Sequence, residues 1–239
     1  VSAVMAWTGF GNVGVDVFLF VVSGWLVSLC LHEYGHAWAA YRLGDPTAKM
    51  LGRLTLDPRA HVDPIGTLLF PMLRLLYPGL FLLGWAKPVP VTAENFRHPK
   101  RDNALVAAAG PAMNLVLAFL ALVVLGVTAA AGFFGLSAQT GGTLFEFLHF
   151  FFWLNFGLAL FNLFPLYPLD GNWILKALLP DRLSYAYSRL DRFGIWAFLA
   201  VVVFFPSVFS QLFLPAVAGL YWMLHLAGLD GLAQMLNLG

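Results

Sequence analysis

Residues 32–36 read His-Glu-Tyr-Gly-His inside a long apolar stretch, with no Lys or Arg before them. At i and i+4, two imidazoles share one face of a helix, and neutral imidazole is a good zinc ligand. A glutamate between them can take a proton from water that a zinc ion activates. Polar groups inside a membrane segment are costly and mark function by default. His32 and His36 are therefore candidate metal ligands, and Glu33 is the candidate general base. A catalytic zinc uses three protein ligands and keeps one position open, so a third ligand must come from another element.

The elements that position these residues are membrane segments. The chain has 239 residues, 60% apolar and 10% charged, with mean hydropathy +0.80. Soluble domains carry about 25% charge, so an all-α polytopic membrane protein is expected. Four tracts, 13–41, 104–132, 144–169 and 193–229, are long enough to span at about 20 residues per crossing. The last would be about 55 Å long as one helix. Pro206 and Pro215 break it into two closing passages, a C-terminal membrane hairpin. A fifth tract, 65–86, carries Pro71, Arg74 and Pro78 and reads as re-entrant. Residues 47–57, with Leu54 and Leu56 alternating with Arg53 and Thr55, read as a short β element. "KPVPV" at 87–91 reads as extended, because each proline restricts its neighbour.

Charge orients the chain. All thirteen Lys and Arg fall between Arg42 and Arg101 or between Lys176 and Arg192. By the positive-inside rule, loops 42–103 and 171–192 are cytoplasmic. One membrane-embedded domain over 1–239 is expected, its core about 13–192 and its closing passages about 193–237. The single cysteine, Cys30, excludes an internal disulfide and more readily packs than binds metal. No nucleic-acid partner is expected.

Depth sorts the acids. His32 and His36 lie about 9–15 Å from the inner end of their helix. Asp16 is about 24 Å further out, and Glu146 begins a crossing on the outer side. Asp170, in "NLFPLYPLDG", reaches a similar depth from the same side, although Asp before Gly171 is also a common turn pairing. His61 and Asp63 are weaker rivals. Asn114, in "GPAMN", matches the depth of the histidines, and Asn162 opens the "LDG" stretch. Each asparagine is either an interhelical hydrogen-bonder or a donor to the oxyanion of a tetrahedral intermediate.

HEYGH, GPAMN and N-x-x-P-x-x-P-L-D-G, in this order on three membrane segments, resemble the site-2 protease family of intramembrane zinc metalloproteases. The resemblance covers about residues 24–192. It implies one zinc per chain held by His32, His36 and Asp170, with Glu33 as base. It implies substrate contacts by Asn162 and Asn114, and a three-helix catalytic core in a prokaryotic cell membrane. It also implies a substrate-holding β element, here Gly52, Arg53, Leu54, Thr55 and Leu56, pairing with an unwound substrate by β-addition. Neither a PDZ nor a CBS domain fits in this chain. Hydrolysis of single-span membrane proteins near the cytoplasmic face is expected; the alternative is a membrane zinc transporter or metal sensor using the same cluster.

Overall fold

The first apolar tract folds as α1, Val15–Leu43, and stops where Gly44 adopts φ +110°. That left-handed conformation suits glycine, which lacks a Cβ. The Gly44 N–H donates to Tyr41 O (3.3 Å) and the Asp45 N–H to Ala40 O (2.9 Å), satisfying two carbonyls at the helix end. This computed structural model describes residues 15–69, 73, 84–132, 138–204 and 206–238.

Asp45 then ties this end of α1 to the segment before the next long helix. Its fully buried carboxylate accepts from Thr47 N (3.0 Å), Thr92 N (2.7 Å) and Asn95 Nδ2 (2.7 Å). Burial pushes this carboxyl up, but the bonds from Thr47, Thr92 and Asn95 outweigh it and hold it below its ordinary value. Asp45→Ala strands these donors and is expected to cost about 2–4 kcal/mol, read as a lower thermal midpoint in detergent. Because the folded-state value is depressed, this stabilisation is present above the ordinary carboxyl value of about 3.9. It fades as pH falls through the lower folded value, so native and variant midpoints converge only in acid.

α2, Pro99–Ala130, begins with proline at its first position, where a missing N–H costs nothing. The Asp102 carboxylate accepts from the His98 N–H (3.0 Å), satisfying the residue before the helix. α3 is Ala138–Asn162, α4 Gly171–Leu178, α5 Asp181–Ser188, α6 Asp191–Phe204, α7 Pro206–Leu226 and α8 Asp230–Met235. α2 is central and packs against α1, α3 and α4. Its contact with α1 is close: a Cβ built on Gly35 would lie 2.8 Å from Ala109 O. Leu125 of α2, Phe152 of α3, Leu224 of α7 and Leu236 meet in the largest apolar core.

Among the described residues, two helices are long and apolar enough to cross a membrane: α2, and α3 over Gly142–Asn162. Only 28% of each apolar window is buried, so most of these side chains face outward, as Val116, Phe119, Leu120 and Val127 do. Residue 205, between α6 and α7, lies outside the described residues, and the expected break at Pro206 with it; Pro215 lies inside α7 without ending it.

No strand occurs among the described residues, which corrects the β element expected over 47–57. Thr47–Met50 is a helical turn, and Gly52 at φ +70° reverses the chain. The carbonyls a strand would offer are spent: Thr55 O on His61 Nε2 (2.9 Å) and Leu56 O on Cys30 Sγ (3.3 Å). Alternation over four residues cannot make a strand without a neighbour to pair with. Most of the fifth tract, 70–72 and 74–83, lies outside the described residues, and the re-entrant reading with it; its first residues, Pro64–Leu69, form a π-helix.

Candidate metal centre

α1 holds His32 and His36 one turn apart, both buried, with their Nε2 atoms 3.0 Å from each other. The chain leaving α3 brings Asp170 to them. Its Oδ2 lies 3.2 Å from His32 Nε2 and its Oδ1 3.4 Å from His36 Nε2. One ligand atom from each residue falls within 4.8 Å of the others. A tetrahedral zinc with bonds of about 2.0–2.1 Å separates its ligand atoms by about 3.3 Å, close to these three distances. Asp170 Oδ2 is buried and, among the described residues, has no hydrogen-bond donor. The donor set, two imidazoles and a carboxylate, is that of a catalytic zinc. These residues fit the ion.

Hydrogen bonds on the far side of each ring aim the ligands. His32 Nδ1 lies 2.5 Å from Asn114 Oδ1, and His36 Nδ1 lies 2.7 Å from Val106 O. Both partners accept, so both Nδ1 atoms carry the proton and both Nε2 lone pairs point at the centre. Asn114 is fully buried, and its Nδ2 donates to Asn155 Oδ1 (2.9 Å) and Ser28 O (3.4 Å). Asn155 in turn donates to Phe151 O (2.9 Å). Both ends of the Asn114 amide are thereby engaged, which leaves no N–H for a substrate oxyanion. In this structure Asn114 is an interhelical hydrogen-bonder that orients His32. Asn155, which sequence reasoning missed, is the next link; as a polar residue in an apolar tract it had the same signal as Asn114.

Gly110 is the first residue of GPAMN. A Cβ built there would press on His36 Nε2 and lie 2.7 Å from His32 Nε2. The site therefore occupies the space that the missing side chain leaves. Gly171, after Asp170, is equally tight, since a Cβ would lie 2.5 Å from Phe164 O and collide with the Leu163 carbonyl.

Glu33 is buried, and its Oε2 accepts a 3.0 Å hydrogen bond from the Val89 N–H. Pro88 and Pro90 have no N–H, so Val89 supplies the one backbone donor of that tripeptide. The segment is anchored by the Lys87 N–H to His61 O (2.9 Å) and by Arg53 Nη2 to Lys87 O (2.5 Å). Sequence reasoning read 87–91 as extended and missed its contact with the base. Two prolines flanking a single donor were the available signal.

Among the described residues, neither rival for third ligand joins the cluster of His32, His36 and Asp170. His61 Nε2 is on Thr55 O, and Asp63 Oδ1 accepts from Ile65 N and Gly66 N. Asn162 donates to Leu158 O (2.9 Å), one turn back in α3. Arg53 is buried, with Nη2 on the Lys87 carbonyl.

Residues 20–205 match the sequence profile of Peptidase family M50. YwhC of Bacillus subtilis (strain 168), provisionally named a zinc metalloprotease, is 40% identical over 184 residues, which cover 77% of this chain and 80% of that one. Rip2 of Mycobacterium tuberculosis (strain H37Rv), named in the same way, is 33% identical over 222 residues, 90% of this chain and 76% of its own. Its namesake in Mycolicibacterium smegmatis is 34% identical over 217 residues, 90% of this chain and 77% of its own. No solved structure matches at a significant level.

Proposed function

This chain belongs to peptidase family M50, the site-2 protease family of zinc metalloproteases, and from that premise we propose that it cleaves single-span membrane proteins within the bilayer, near the cytoplasmic face. The observation that carries the proposal is the convergence of His32, His36 and Asp170 beside a buried, non-ligand glutamate. Zinc is the cofactor, and when bound it supplies Lewis-acid polarisation of the scissile carbonyl and of water. Glu33 takes the proton that water gives up on attacking the carbonyl and passes it to the departing amine. The Val89 N–H holds one oxygen of Glu33 and leaves Oε1 to do this. Asn114, through His32, and Val106, through His36, keep the imidazoles in the neutral tautomer that binds metal. Asn162, at the end of α3, is assigned to substrate contact.

The membrane reading rests on the outward apolar faces of α2 and α3 and on the one-sided Lys and Arg. α1 and the α6–α7 pair provide the remaining passages of a polytopic protein whose loops 42–103 and 171–192 are cytoplasmic. His32 and His36 then lie about 10–17 Å from the inner end of α1, a short path for water. A substrate helix hides its carbonyls in i to i−4 bonds, so it must unwind before the site can reach one.

The test is reconstitution of the full chain in vesicles with a panel of tagged single-span proteins. At least one is expected to be cut inside its membrane segment; chelation stops the cut and added zinc restores it. If cleavage survives exhaustive chelation, or falls only in soluble loops of every substrate, the proposal is wrong.

A further inference from the structure

A cavity of about 680 Å³ opens between the first turns of α2 and the end of α4, and none of its lining residues belongs to the metal centre. Arg97, Lys100 and Arg101 line it together with the apolar side chains of Leu105, Ile174 and Leu178. Its charge is only partly neutralised. Arg101 Nη2 lies 2.8 Å from Asp102 Oδ1, and Lys100 Nζ lies 2.7 Å from Asp181 Oδ1. The Asp181 side chain is 94% exposed, and a pair of that kind is worth little. Lys100 can therefore exchange it for another anion. Arg97 is exposed and forms no ion pair among the described residues.

The apolar part of the cavity also opens outward. Leu105 and Leu178 are exposed, and the exposed face of α2 continues through Leu115, Val116 and Phe119. An anion with no apolar portion would leave that wall unused. The cavity lies at the cytoplasmic end of α2, where basic pockets between membrane helices suit lipid headgroups.

We propose that this cavity binds an anionic phospholipid of the inner leaflet, its phosphate diester on Arg97 and Lys100 and its upper acyl chains against Leu105, Ile174 and Leu178. The inference rests on the membrane reading given above. α4 begins at the residue after the ligand Asp170 and ends at this cavity. The lipid therefore sits about 12 Å along that helix from the metal ligand.

The test titrates the intact chain, in neutral detergent, with short-chain phosphatidylglycerol, with phosphatidylcholine of the same chains, and with inorganic phosphate, read by native mass spectrometry. Phosphatidylglycerol is expected to bind at least about fivefold tighter than phosphatidylcholine, the effect of about one basic residue at a membrane surface. Arg97→Gln removes most of that preference. Arg59→Gln, an exposed cation that does not line the cavity, leaves it intact. Leu178→Asn, which removes apolar contact without adding charge, weakens phosphatidylglycerol binding, which a purely ionic site would not show. Lys100 is left in place because it also holds Leu179 O (2.6 Å).

Equal affinity for the two lipids overturns the proposal, as does an Arg59→Gln loss as large as that of Arg97→Gln. If inorganic phosphate displaces phosphatidylglycerol at equal concentration, the site takes free anions and the lipid assignment falls. A separate flotation assay with phosphatidylcholine vesicles isolates the premise. A chain that fails to insert overturns the membrane reading and this inference with it, whereas insertion without lipid preference overturns the inference alone.

Discussion

Gly110→Ala is expected to purify with at least about tenfold less zinc than the native chain, as depleted as Asp170→Ala, although it removes no ligand. The added methyl would press on His36 Nε2 and lie 2.7 Å from His32 Nε2, where two lone pairs must converge. The helices cannot simply part to admit it. Gly35 of α1 already faces Ala109 O of α2 at close range, and His36 is tied to α2 through Val106 O. Either the rings turn, breaking their Nδ1 bonds, or the metal is excluded. Gly126→Ala is the control on the same helix. Its Cβ would meet only the flexible end of Leu232, at 3.3 Å, and its zinc content should match the native value. Metal analysis of monodisperse protein decides the matter, and full zinc occupancy in Gly110→Ala would show that the centre is not where these residues converge.

Glu33→Gln separates the two chemistries that the same cluster could serve. A hydrolase loses its base, and removal of a positioned general base costs about 10²–10⁴ in rate. A transport or sensing site has no need of a carboxylate that is not a ligand. The substitution is nearly isosteric, and the glutamine carbonyl can still accept from Val89 N, so the fold and the zinc content should persist. Cleavage of a tagged single-span substrate is expected to fall by that factor in the variant. Near-native cleavage by zinc-loaded Glu33→Gln would remove this residue from the mechanism and revive the transport reading.

Much of the centre was legible in the sequence because it depends on local geometry. A helix puts residues four apart on one face, so His32 and His36 had to converge once the tract was helical, with Glu33 beside them. Apolar length marked the tracts that became α1, α2 and α3, and depth along those tracts brought Asp170 to the histidines. The same reasoning misjudged 47–57. Strand formation depends on a partner, and alternation along one segment says nothing about whether a partner is near. Thr55 and Leu56 instead gave their carbonyls to His61 and Cys30.

What remained was decided by contacts between distant parts of the chain. Asn114 lies 82 residues from His32, and Val89 lies 56 residues from Glu33. The composition of GPAMN or KPVPV does not say which end of an amide, or which backbone N–H, will meet a given side chain. That depends on how closely two helices pack and on which faces they turn to each other. Gly110 shows this most directly. In the sequence it is one small residue among several, and only the approach of α2 to α1 turns its missing side chain into room for the metal. Residue types and spacing thus determined the chemistry available to the chain, while helix packing determined which groups aim the ligands, which one holds the base and which position must stay empty.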